Sequence, residues 1–227
     1  MKRWELLGAT SAPDGTDITL MRQDDECVIL ANGKPLMSSR LHGSEEALAT
    51  LGCAEARKLT RPHVLVGGLG MGYTLRAVLD VLPPEGIVTV AELLPAVVEW
   101  NRGALGPLAR HPLRDPRVRI EVGDVGFTLR AERDRFDAVL LDVDNGPAAF
   151  TVGVNAGLYD NSGVTAAHGA LRSGGTLAVW SAWQDTKFEQ RLRHHGFTVD
   201  VASVRARLKK GGPRHTIFLG RKAGRAS

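Results

Sequence analysis

The stretch His63-Val64-Leu65-Val66-Gly67-Gly68-Leu69-Gly70-Met71-Gly72-Tyr73-Thr74-Leu75-Arg76 decides the fold. Val64-Leu65-Val66 is a short apolar run without polar alternation, the pattern of a strand covered on both faces. The glycines that follow let the backbone turn sharply and approach a ligand without Cβ obstruction, and a helical pattern then runs to Leu82. Strand, glycine loop and helix in that order open a parallel strand–helix–strand unit.

Further on, the alternation continues. Residues 87–91 read as a second strand and 94–102 as a helix, while residues 118–122 form a third strand ending in Gly123-Asp124. Residues 138–141 form a fourth strand, ending in Asp142-Val143-Asp144-Asn145-Gly146-Pro147. Residues 163–171 read as a helix, 176–181 as a strand and 188–194 as a helix; strands 197–204 and 215–220 close the chain as a hairpin. This predicts an α/β fold with a doubly wound, mostly parallel, seven-stranded sheet carrying an antiparallel edge. Toward the N-terminus, residues 4–9, 18–22 and 26–31 are short β runs, and Asn32-Gly33 is a hairpin signal. Ser44, before Glu45-Glu46 and the apolar Leu48, Leu51 and Ala54, predicts an N-capped helix reaching about Lys58. The expected division is an N-terminal β segment, 1–40, and a ligand-binding domain, 41–227.

Composition narrows the class. With 227 residues, 43% hydrophobic and 24% charged, the chain is ordinary for a globular protein and not for a disordered one. It has no run of ~18 apolar residues, and Met1-Lys2-Arg3-Trp4-Glu5 begins no signal peptide, so a cytoplasmic protein without a membrane partner is expected. Cys27 and Cys53 lack disulfide or zinc spacing and read as small buried side chains. Residues 201–227 hold eight basic and no acidic residues, leaving 21 basic against 25 acidic elsewhere. Few aromatic residues interleave with those charges, which argues against a nucleic-acid partner. Unpaired edges of the β segment suggest a homodimer.

Ligands of open α/β sheets bind at the carboxyl ends of the strands, and the acidic residues fall there. Glu92 ends the second strand, 20 residues after Gly72, where a carboxylate can accept from both hydroxyls of a ribose. Asp124 ends the third, where it could accept from an adenine amine or cap the following turn. Asp142 and Asp144 follow the fourth.

These pieces, in this order, resemble the class I S-adenosylmethionine-dependent methyltransferase fold, a Rossmann-like fold, and specifically its spermidine synthase (polyamine aminopropyltransferase) branch. The resemblance covers about residues 40–182: the glycine loop with Thr74-Leu75-Arg76, Glu92 with Pro95, Asp115-Pro116-Arg117-Val118 leading to Gly123-Asp124, and Phe136-Asp137-Ala138 through Asp142. It implies that Gly68, Gly70 and Gly72 cradle the amino-acid side of the nucleoside cofactor, Glu92 holds its ribose and Asp124 its adenine amine. It implies that Asp142 orients and deprotonates an attacking amine, and that no metal takes part.

Two departures bear on the group transferred. The family's Gly-Gly-Gly-Asp-Gly-Gly loop uses its Asp to pair with the terminal amine of decarboxylated S-adenosylmethionine, and Met71 stands at that position here. The family's Asp-Ser-x-Asp-Pro is also rebuilt, as Asp142-Val143-Asp144-Asn145-Gly146-Pro147. The expectation is a methyltransferase using intact S-adenosylmethionine on a small, amine-containing acceptor. The alternatives are an aminopropyltransferase using the decarboxylated form and a non-catalytic nucleoside-binding protein. Asp144, Asn145, Tyr159 and Trp183 are the expected acceptor-side residues, residues 147–158 read as a mobile lid or an ordinary loop, and Trp180 is expected in the core. No His spacing fits a metal site, and His42, His63, His111, His168, His194 and His195 read as surface or packing residues.

Overall fold

Two sheets carry the chain in the computed structural model, which describes residues 3–143, 146–147, 156–207 and 212–224. The first is an antiparallel meander of β1 (Glu5–Ser11), β2 (Asp17–Gln23), β3 (Glu26–Ala31) and β4 (Lys34–Ser38) in sequential order. Its last hairpin turns at Asn32 and Gly33, with φ of 48° and 73°, as a tight two-residue turn requires.

Helix α1 (Gly43–Gly52) leads into the second sheet, built from β5 (His63–Gly67), β6 (Ile87–Glu92), β7 (Val118–Val122), β8 (Phe136–Leu141), β9 (Leu171–Ser181), β10 (Phe197–Arg205) and β11 (Arg214–Lys222). The helices between them are α2 (Tyr73–Val81), α3 (Pro95–Arg102), α4 (Val125–Ala131), α5 (Ala156–Tyr159), α6 (Asn161–Ala170) and α7 (Thr186–His194). The strand order is β10-β11-β9-β8-β5-β6-β7. All neighbours are parallel except the two pairs made by β11. The seven-stranded, mostly parallel architecture is the one expected, and it puts the switch in strand order between β5 and β8. The glycine loop and Asp142 therefore leave the sheet side by side.

Apolar clusters cover both faces of this sheet, one around Phe136, Phe188 and Phe218, the other around Leu48, Leu75, Val88 and Leu140. A third cluster joins the meander to the domain: Ile18, Leu20, Cys27 and Ile29 pack with Met71, Tyr73, Leu105 and Ala109. Each such side chain, when fully buried, contributes about 1.5–3 kcal/mol.

Helix α1 departs from expectation at both ends. It stops at Gly52, and a separate 3-10 turn spans Ala56–Lys58. At Gly52 the helix lies so close to the sheet that an added Cβ would sit 2.9 Å from the Ala178 Cβ. His42 rather than Ser44 holds the N-cap position, without a side-chain hydrogen bond, because the Ser44 hydroxyl is drawn inward to Glu45. Helix α6 starts two residues before the expected position because Asp160 caps it, its Oδ1 accepting from Gly163 N at 2.9 Å. Strand β9 starts at Leu171, so the Gly174-Gly175 pair lies within it rather than before it.

Candidate active site

A cavity of about 320 Å³ opens at the switch point, between the meander, the glycine loop, the ends of β6 and β8, and the start of α1. Its charged lining residues are Glu45, Glu92 and Asp142; neither Lys nor Arg lines it among the described residues. Ile18, Ile29, Met37 and Leu41 form an apolar wall, and Trp180 and His215 close the far side.

Gly68 and Gly70 border the cavity, with φ of 88° and 50°. At Gly68 a Cβ would lie 2.2 Å from the Asp142 carbonyl oxygen, so no other residue fits there. Gly72 is positioned differently. It is the left-handed N-cap of α2, packed against Asn101 and Pro112 rather than lining the cavity.

Glu92 is only 7% exposed. Its Oε2 accepts from Leu69 N at 2.8 Å and its Oε1 from Leu94 N at 2.9 Å, so one carboxylate shapes both the glycine loop and the turn after β6. Burial raises its pKa against those backbone hydrogen bonds. Each oxygen keeps a further lone pair for a ligand hydroxyl. Asp124 caps α4, accepting from Gly126 N at 2.8 Å, and is absent from the cavity lining.

Asp142 follows the last residue of β8. Its backbone N donates to Gly67 O at 2.9 Å, and its Oδ2 accepts from the Thr74 hydroxyl at 2.6 Å. The first turn of α2 thus holds the carboxylate facing the cavity.

Of the expected acceptor-side residues, Asp144 and Asn145 lie outside the described residues, as does most of the segment 147–158. Tyr159 is buried in the core with its ring edge-on to Phe188, centroids 5.9 Å apart. Trp183 is 54% exposed, and neither residue lines the cavity. Trp180 packs against the core cluster, as expected, and also lines the cavity; its buried Nε1 has no hydrogen-bond partner among the described residues. His42 stacks on Tyr73 with centroids 4.2 Å apart, outside this cavity.

The residue that sequence reading missed is Glu45. It is 5% exposed, and its Oε2 accepts from the Ser44 hydroxyl at 2.6 Å. Ser44 in turn lies 2.9 Å from His215 Nδ1 on β11. Desolvation first, and then the charge of Asp142, push the Glu45 pKa up to about 8. A signal was available: Glu45, Leu48, Ala49 and Gly52 share one helical stripe, so the acid interrupts an otherwise buried face.

Among the described residues, the features that a nucleoside donor could use are the Cβ-free backbone of Gly68 and Gly70 at the cavity edge, the Trp180 indole N–H, which has no partner there, and the three carboxylates of the lining. Among the described residues, no group of three or more His, Cys, Asp or Glu is placed to hold a metal ion.

No protein-family model matches the chain. It is 32% identical over 151 residues to polyamine aminopropyltransferase 2 of Ralstonia nicotianae, covering 66% of this chain and 29% of that protein. It is 30% identical over 173 residues to the polyamine aminopropyltransferase of Corynebacterium efficiens, covering 74% and 31%. The chain thus spans about three tenths of the length of the curated relatives it matches. The solved spermidine synthase of Thermotoga maritima superposes with a TM-score of 0.72 at 20% identity, over 96% of this chain and 73% of that one.

These relatives overturn the methyltransferase expectation, since they are polyamine aminopropyltransferases. The structure shows where that reasoning failed. Met71 is fully buried in the cluster beneath the meander and does not line the cavity, so its thioether replaces no cavity acid. In sequence and in fold the chain is spermidine synthase-like, with polyamine aminopropyltransferases as its relatives.

Proposed function

We propose that this chain carries an aminopropyl transfer: from decarboxylated S-adenosylmethionine to a primary amine. The observation that supports it most is a cavity at the β5/β8 switch point where the charged residues among the described lining are all carboxylates. Such a lining suits a sulfonium donor and an amine acceptor, both cationic, and disfavours the carboxylate of intact S-adenosylmethionine.

A sulfonium supplies its own leaving group, a neutral thioether. The protein's task is then to align a neutral amine with the carbon to be transferred. Glu92 binds the ribose hydroxyls while bracing the glycine loop, and Gly68 and Gly70 admit the rest of the donor. Asp142, held by Thr74, accepts a hydrogen bond from the incoming amine and takes its proton as the nitrogen–carbon bond forms and the carbon–sulfur electron pair passes to sulfur. Asp124 holds the adenine amine with Oδ2, the oxygen that does not cap α4 and that lies 3.5 Å from Arg130 Nη2. Asp144, Asn145, Tyr159 and Trp183 remain proposed for the acceptor side.

Calorimetry with the intact and the decarboxylated donor, followed by mass spectrometry of products from a panel of diamines, tests this reading. Preference for the decarboxylated donor and a mass gain of one aminopropyl group are expected. Preference for the intact donor, or no product from any amine, would overturn it.

A further inference from the structure

We propose that Glu45 is the donor-selecting residue: from α1, with Asp142 left to meet the acceptor amine, it pairs with the primary ammonium end of the aminopropyl donor, the glycine loop having no acid at position 71. This rests on the aminopropyl reading above and goes beyond it by assigning a residue and an element to the selection.

The geometry carries it. Glu45 and Asp142 border the same cavity, one from the first turn of a helix and one from a strand end. Glu45 is almost wholly buried, whereas the side chain of its neighbour Glu46 is 39% exposed and pairs with His42. A buried carboxyl without a cation is costly, and the fold keeps this one in a fixed orientation through Ser44 and His215. Met71 is turned into the core and cannot reach a ligand.

The groups facing Glu45 are Asp142 beyond β8, Tyr73 on α2, Ser44 and Glu46 on its own helix, and His215 on β11, which burial keeps neutral by lowering its pKa. Arg205 on β10, whose backbone passes the start of α1, has an exposed side chain. With Glu92 and Asp142 in the same cavity and neither Lys nor Arg among its described lining residues, burial favours a protonated Glu45. An arriving ammonium would ionise it, and its proton leaves to solvent. An arriving carboxylate would meet the same acid unfavourably, so Glu45 both attracts the decarboxylated donor and rejects the intact one.

The test measures two ligands on two proteins. The first ligand is 5′-methylthioadenosine, which has the nucleoside and thioether but no ammonium; the second is decarboxylated S-adenosylmethionine. Calorimetry on wild type and Glu45→Gln should give equal affinity for methylthioadenosine, which also certifies the variant's fold. For the decarboxylated donor, Glu45→Gln should bind about tenfold to hundredfold more weakly. Independently of any variant, wild type titrated at pH 7 in two buffers of different ionisation enthalpy should release close to one proton with the donor and about none with methylthioadenosine. Equal losses for both ligands, no loss for either, or no proton release would overturn the pairing while leaving the aminopropyl reading intact. So would a Glu45→Gln effect confined to the KM of the amine acceptor. A wild type that binds methylthioadenosine but not the decarboxylated donor overturns both.

Discussion

The Thr74 hydroxyl donates to Asp142 Oδ2 at 2.6 Å and so ties the first turn of α2 to the end of β8. The two residues are 68 positions apart, yet they flank the point where the strand order reverses. That bond fixes the rotamer of the carboxylate proposed to meet the attacking amine. Thr74→Val keeps the β-branched shape of a residue that is 3% exposed and removes only the donor. Turnover should fall about tenfold, with donor affinity measured by calorimetry nearly unchanged. A variant with wild-type kcat would show that Asp142 needs no such brace.

Glu92 offers a second separation of roles. Both its oxygens accept backbone N–H groups, and glutamine can offer only one acceptor oxygen. Glu92→Gln should therefore lose about 1–3 kcal/mol in denaturant unfolding, because one loop N–H is left facing an amide NH₂. It should also lose methylthioadenosine binding, measured by calorimetry, whereas Glu45→Gln keeps it.

Placing the family's acid at position 71 should fail. Met71 is fully buried among Ile18, Leu20, Cys27 and Leu105, so Met71→Asp puts an unpaired carboxyl in an apolar layer. The expected loss is on the order of 3–5 kcal/mol, seen as a collapsed thermal transition or insoluble protein, and no gain in donor affinity. A stable variant that binds the decarboxylated donor more tightly would mean that residue 71 reaches the cavity.

The pH dependence follows from the buried groups. Glu45 has a folded pKa of about 8 against an ordinary 4.5, so the native state holds the extra proton between these values. Its contribution to stability is thus present in acid and is lost as pH rises toward 8. His63 acts in the opposite sense: burial, with Arg135 and Arg172 nearby, pushes it down to about 4, so stability rises with pH between about 4 and its ordinary 6.5. Above pH 6.5 the His63 effect is complete. From there to pH 8 the Tm of the ligand-free wild type should fall relative to Glu45→Gln by at most roughly 3–5 °C per pH unit, read by calorimetric scanning. Glu92, also raised by burial, is common to both proteins and cancels in the difference.

The fold was legible because its signals are local. Apolar strand and helix alternate along the chain, the three glycines mark the first such unit, and Glu92 and Asp142 stand at the ends of later strands. Glu92 and Asp142 could be found this way. Residue type does not separate Glu45 from Glu46, both acids in a first helical turn, and only the helical stripe that Glu45 shares with Leu48, Ala49 and Gly52 marks it. Trp180 packs against the core as its apolar run suggests, and only the tertiary structure shows that it walls the cavity too.

By itself, the order of residues determined the parallel sheet, the glycine loop and the strand ends that meet at the switch point, because backbone sterics and hydrophobic periodicity act over a few neighbours. Only the tertiary structure decided which way the side chains at Met71 and Glu45 turn. Those directions depend on what packs above the loop, and the meander from residues 5–38 claims the thioether while leaving the α1 carboxyl facing the cavity.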